Sequence, residues 1–310
     1  MTSSSRRQFL IRSGSLGVAS LASPWALHRA RANPGGRPAG IQLYAVKSSL
    51  EEDPAGTLKT IRKIGFEEVE TAGFAKRSAR EFRQLLDDAG LKCPSAHLQF
   101  DVENLGPTFE DAHALGAKYV TSGGLRGSLK PPVTSIGTGM TVEEAKRVAA
   151  VANRIGTQAR QAGLQYAYHN HNGEFVDEGG TTGYDVLLHE TDPALVKFEI
   201  DCGWMVLGGR NPIDYFKKYP GRFPMIHVKD FLPPPHGAAA TATAKGAAAG
   251  KPPEYPGAEL GHGMIDYAPI FAAADKAGLE YYFAEQEGPF VRMSQLDAAR
   301  QAYAYLHAMS

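Results

Sequence analysis

Cysteine is nearly missing from this chain: its 310 residues hold two, Cys93 and Cys202. Two cysteines make no disulfide framework. Each lies beside an apolar run, where a buried free thiol is expected. No G-x-G-x-x-G follows the first strand-like run, so dinucleotide redox chemistry finds no support. Long apolar runs are also lacking. The one N-terminal candidate, roughly residues 13–27, is too short and too broken by Arg, Ser and Gly to span a bilayer, which excludes a stable membrane anchor. Charge of one sign is absent as well, with 33 basic and 33 acidic residues. Five arginines and no acid fall within residues 1–32, so the remainder carries 28 basic against 33 acidic residues, a net charge of −5. A nucleic-acid-binding surface wants a basic face; this balance suits a soluble enzyme instead.

The first 32 residues are a different kind of sequence. SRRQFL (5–10) sets two arginines directly before a weakly apolar, Gly/Ser/Ala-rich stretch, and Ala30-Arg31-Ala32 fits a small-x-small cleavage rule. The segment resembles a bacterial twin-arginine export signal. That resemblance implies cleavage near Ala32, a periplasmic location and the twin-arginine export machinery as a partner. Residues 33–310 then form one catalytic domain.

Short apolar runs alternate with segments of period near 3.6. Strands are predicted over 40–46, 66–72, 91–98, 118–124, 164–171, 196–202, 223–230 and 280–287, with Pro94 interrupting the third. Helices are predicted after Asp53-Pro54, from Ser78 to a Gly90 stop, over 109–116, and from a Thr141–Glu144 capping box to about Ala162. Others follow near 184–190, from Pro212, over 268–277 and over 294–308. Eight strands separated by helices predict an α/β fold, a closed (β/α)8 TIM barrel. A Gly/Pro/Ser-rich loop covers roughly 125–140, and GAAATATAKGAAAGKPP (237–253) is a low-complexity insertion leaving strand seven.

In such barrels the active site sits at the C-terminal strand ends. Strand five ends in His169, Asn170, His171 and, past a Gly, Glu174. Strand six ends in Glu199 and Asp201, strand seven in His227, Lys229 and Asp230, strand eight in Glu285, Gln286 and Glu287. Residues two apart share a strand face. Several inward carboxylates at one mouth call for a cation, and mixed imidazole and carboxylate donors suit Mn²⁺, Zn²⁺, Co²⁺ or Fe²⁺ better than Ca²⁺. Tyr44, Glu70, His97 and Trp204 line the same mouth as candidate sugar contacts. The Gly-His-Gly at 261–263 offers His262.

The segments EIDCGWMVLGGRNPIDYFKKYPGRFPMIHVKD (199–230) and GHGMIDYAPIFAAADKAGLEYYFAEQE (261–287), with GIQLYAVK, VETAGF and YHNHNGEF, resemble the sugar phosphate isomerase/epimerase superfamily, the xylose-isomerase-like TIM barrels. The likeness covers essentially all of residues 33–310. It implies one divalent metal. In the ketose 3-epimerase branch Glu, Asp, His and Glu from strands five to eight hold it. Carried over, the last three are Asp201, His227 and Glu285. The first Glu falls on His169, a departure that leaves His169 and Glu174 as rival fourth ligands. In that branch the first and last Glu also move protons, which makes Glu285, with His169, His171 or Glu174, the candidate bases. Lys229 is a candidate partner for an enolate oxygen.

The chemistry expected is proton abstraction next to a carbonyl, in a divalent-metal-dependent isomerase or epimerase of a small carbohydrate. Free sugar phosphates are cytoplasmic, so an exported enzyme is expected to take unphosphorylated sugars or their derivatives. A lyase or dehydratase acting on a 3-keto-glycoside or inosose is the alternative. A non-catalytic periplasmic sugar-binding protein is the alternative of another class. A homo-oligomeric state is left open.

Overall fold

The computed structural model describes residues 34–131, 139–233, 257–287 and 293–309. The twin-arginine segment with its cleavage position, residues 132–138 of the Gly/Pro/Ser-rich loop and the low-complexity 237–253 lie outside these.

Eight parallel strands close into a barrel, as the alternation predicts. They are β1 (Gly40–Gln42), β2 (Glu68–Ala72), β3 (Lys92–His97), β4 (Tyr119–Ser122), β5 (Gln165–His169), β6 (Val196–Asp201), β7 (Met225–Val228) and β8 (Tyr281–Ala284). β1 pairs with both β2 and β8, which closes the ring. Around it run α1 (Lys47–Glu52), α2 (Pro54–Ile64), α3 (Ala79–Ala89), α4 (Gly106–Leu115), α5 (Val142–Gln161), α6 (Gly183–Glu190), α7 (Cys202–Leu207), α8 (Pro212–Lys218), α9 (Tyr267–Lys276) and α10 (Gln295–Ala308). Side-chain caps start most of the predicted helices, α4 excepted. Asp53 accepts from the Gly56 N–H, and Ser78–Glu81 and Thr141–Glu144 form reciprocal capping boxes.

Three local features depart from the predicted elements. The first strand stops at Gln42 rather than residue 46, because the Gln42 side chain accepts from the Tyr44 N–H at 3.1 Å and starts a 3₁₀ turn that leads into α1. The sixth strand ends in an unpredicted short helix, α7, capped by Asp201 through the Trp204 N–H at 2.8 Å. Pro94 does not break β3. Glu68 pairs with Lys92 but Glu70 with Ser95, so the extra residue is absorbed as a register shift, where a residue without a ladder N–H is tolerated.

The barrel interior has two levels, and strand periodicity explains both. Tyr119, Ala167, Met225 and Phe283 form an apolar plug. Two residues further along the same strands, on the same face, stand Thr121, His169, His227 and Glu285. The plug keeps water out from below, so the polar layer above must satisfy itself or hold a ligand.

Candidate active site

The deeper part of the polar layer is built on two carboxylates. Glu70 accepts from Gln42 Nε2 at 2.8 Å and from Ser95 Oγ at 2.5 Å, and its Oε2 lies 2.7 Å from His227 Nε2. Glu199 Oε2 meets three imidazoles: His97 Nε2 at 2.7 Å, His227 Nε2 at 3.1 Å and His169 Nδ1 at 3.2 Å. Burial and the Glu199 charge raise the Glu70 carboxyl. Burial would raise Glu199 as well, but the His227 charge and the imidazole hydrogen bonds hold it well below the usual range. Burial and the His227 charge in turn keep His169 neutral, far below an ordinary histidine.

Above this layer lies a second charge cluster. Lys229 Nζ stands 3.1 Å from Asp201 Oδ2, 2.8 Å from Glu285 Oε2 and 2.5 Å from Glu287 Oε1. Burial opposes its charge, yet these three carboxylates raise its pKa. The Trp204 ring covers it, with Nζ 5.0 Å from the centroid. His227 joins the two clusters, because its other nitrogen, Nδ1, lies 2.9 Å from Glu285 Oε2. His171 stands between His169 and Trp204, at ring-centroid distances of 5.1 and 6.1 Å. Burial and the Lys229 charge push it down to about 4.

The expected ligands fall in two overlapping groups. Asp201, His227 and Glu285, three of the expected ligands, bring donor atoms within 4.8 Å of one another, and His97, His169, Glu199 and His227 do the same, so His227 is common to both groups. Of the rival fourth ligands, His169 lies in the second group. Glu174 lies in neither: it is buried on the loop after β5, where it accepts from the Tyr168 hydroxyl at 2.8 Å and the His171 N–H at 3.2 Å. Tyr168 faces away from His169 by strand alternation, so Glu174 is drawn to the outer side of the sheet.

Among the other candidates, Glu70 and His97 are part of the deep cluster, not rim residues. Tyr44 is 44% exposed, with the Lys47 ammonium over its ring. His262 is exposed on a turn tied down by Asp230, which accepts from Gly263 N at 3.0 Å and Ile265 N at 3.1 Å. A Cβ at Gly263 would stand 2.0 Å from Asp230 Oδ1, so glycine is required there. Asp230 is therefore committed to that turn and not to Lys229. Glu199 was legible only as a strand-end acid, and Gln42, Ser95 and Glu287 carry no sequence signal beyond position.

The donors suit a divalent cation. Glu199 Oε1 is buried with no hydrogen-bond partner among the described residues, and imidazole mixed with carboxylate is the ligand chemistry of Zn²⁺ and its neighbours.

A family model described as the xylose isomerase-like TIM barrel matches residues 58–308. An inosose dehydratase of Lacticaseibacillus casei is 30% identical over 201 residues, spanning 63% of this chain and 66% of that protein's length. A solved sugar phosphate isomerase/epimerase from Parabacteroides distasonis superposes with a TM-score of 0.67 at 24% identity, covering 88% of this chain and 94% of that one. The IOLI protein, solved with a bound zinc atom, superposes at 0.60 and 15% identity over 88% and 98%, so metal binding occurs among proteins of this fold. With the closed eight-stranded barrel and the polar cluster at its strand ends, these findings identify the chain as a member of the xylose isomerase-like TIM-barrel family, an enzyme superfamily.

Proposed function

We propose that this chain is a metal-dependent lyase that removes water from a cyclic polyhydroxy ketone, of the inosose or 3-keto-glycoside class. The observation that carries the reading is the gathering of four imidazoles, five carboxylates and one ammonium at a single barrel mouth above an apolar plug. The likeness to an inosose dehydratase supports elimination over isomerisation or epimerisation. The twin-arginine string supports a periplasmic enzyme and an unphosphorylated substrate.

Ligands around His227 would hold the ion, and a bound divalent cation supplies Lewis-acid polarisation of the ketone. The chain's own groups do the rest. Lys229, kept cationic by Asp201, Glu285 and Glu287, presents fixed positive charge to the oxygen on which negative charge develops. His171 is uncharged near neutral pH and half-buried beside the Trp204 ring, and it takes the proton next to the carbonyl. The same imidazolium returns that proton to the departing β-hydroxyl, which leaves as water, so proton and electron pairs balance. Trp204 offers an apolar face to the ring carbons.

The test is incubation of metal-loaded protein in D₂O with an inosose, a 3-keto-glycoside and simple ketoses. Water loss with appearance of an enone is expected for a cyclic ketone. Deuterium uptake without water loss would favour the isomerase or epimerase reading. Binding with neither would favour a sugar-binding protein.

A further inference from the structure

A cavity lies between the short antiparallel hairpin 177–182, which follows β5, and the turn that joins α7 to α8. Its volume is about 420 Å³, and its lining includes Asp185, Gly209, Arg210, Asp214, Tyr215 and Lys218. None of these residues belongs to the imidazole and carboxylate groups of the mouth. The size is that of a small-molecule site. We propose that this cavity is a second binding site, for an uncharged polyhydroxy compound such as a monosaccharide or its glycoside. The proposal rests neither on a metal nor on the reaction at the mouth.

The walls are formed by backbone and by one aromatic ring. Gly180 and Gly209 hold φ of +93° and +73°, and a Cβ built on either meets nothing within 4 Å. Both glycines therefore leave their backbone open to an approaching ligand. Tyr215 is fixed from two sides. Its ring packs on Tyr184 at a centroid distance of 5.6 Å, and its hydroxyl donates to Asp185 Oδ1 at 3.3 Å. It supplies an apolar wall with a polar end, which suits the C–H and O–H groups of a sugar ring.

Arg210 is the donor in search of acceptors. Its Nε is buried with no hydrogen-bond partner among the described residues. Its Nη2 stands 3.6 Å from Asp177 Oδ2, beyond hydrogen-bond reach. A buried donor left unmade is costly, so the guanidinium gains from a ligand that brings acceptor oxygens. Its planar fork matches two adjacent oxygens, which is what a vicinal diol presents.

The surrounding charge decides what carries those oxygens. Asp177, Asp185 and Asp214 outnumber Arg210 and Lys218, so a carboxylate or phosphate ligand is repelled. The Lys218 ammonium lies over the Tyr219 ring, 4.9 Å from its centroid. A zwitterion would rely on Asp214 and Lys218, and both are exposed, where ion pairs contribute little. Hydroxyls accept from the guanidinium and donate to the carboxylates without carrying charge.

The experiment is nuclear magnetic resonance on the full ¹⁵N-labelled chain, titrated with methyl β-glucoside, glycine and inorganic phosphate. The Arg210 Nε–Hε signal and the Gly180 and Gly209 amides report on this cavity, and the Trp204 indole signal reports on the mouth. Methyl β-glucoside is expected to move the three cavity signals together, with a dissociation constant in the millimolar range. R210M is expected to weaken that binding by about 10-fold or more. Glycine or phosphate moving the cavity signals at lower concentration than the glucoside overturns the ligand class. Cavity signals that stay in place up to about 0.1 M glucoside, or R210M binding as the parent does, overturns the site. Movement of the Trp204 signal alone overturns it too, while leaving the sugar reading of the mouth intact. The signals of the unmodified chain decide the question even if R210M fails to fold.

Discussion

The hydroxyl of Tyr168 donates to Glu174 Oε1 at 2.8 Å, which fixes this carboxyl on the outer side of β5, where it also accepts from the His171 backbone N–H and stands apart from the imidazole cluster. Burial raises Glu174 to about 7 from its ordinary 4.5, partly offset by the Tyr168 and backbone hydrogen bonds. A carboxyl raised on folding contributes its stability fully below pH 4.5, loses it as pH rises towards 7, and is constant above. The shift corresponds to on the order of 3 kcal/mol. Chemical denaturation between pH 4 and 8 is expected to show that loss, and E174Q is expected to flatten it. A proton-exchange rate for E174Q reduced as far as for a catalytic-base variant would contradict the structural role.

Glu68 is the corresponding case at the barrel floor. Its Oε2 is buried without a hydrogen-bond partner among the described residues, and burial raises the group to about 7 despite the Lys92 charge. Stability is therefore lost here as well when pH climbs from about 4.5 to 7. E68Q is expected to raise the thermal midpoint at pH 8 and to leave it nearly unchanged at pH 4. Equal shifts at both pH values would show that the carboxyl is already ionised in the fold.

Lys229→Met leaves Asp201 and Glu285 buried without their cation. Breaking a buried pair in this way costs about 3–5 kcal/mol, and the developing oxyanion loses its fixed positive charge, worth roughly 100- to 1,000-fold in kcat. Urea titration at pH 7 and turnover measured together check both. Wild-type stability in K229M would mean that the three carboxylates are solvated or protonated in the native protein.

His171→Ala removes the proposed proton carrier. Deuterium exchange is expected to fall about 100- to 10,000-fold while Zn²⁺ affinity stays at the parent level. Unchanged exchange would move the base to another residue of the mouth.

Much of this was legible in the sequence because it depends on period and position. Thr141-x-x-Glu144, Ser78 before α3 and Pro212 fix helix starts within a few residues of chain, through local hydrogen bonds. Period-two alternation set His169, His227 and Glu285 inside the barrel two steps above the plug. What escaped were effects of one side chain on the next element. Gln42 and Asp201 end their strands by capping the turns that follow, and a polar residue at a strand end carries no mark that distinguishes a cap from a ligand.

The sequence by itself determined the eight-fold alternation, hence the barrel, and the end of the barrel at which polar residues collect. Only the tertiary structure decided how those residues divide. Asp201 and Glu285 go to Lys229, Glu174 to Tyr168, and Glu199 and His97 to the histidine cluster, through contacts that in all but one case span tens of residues. The physical reason is that a buried charge takes whichever counter-charge the closed barrel brings within about 3 Å, and closure, not sequence spacing, sets that distance.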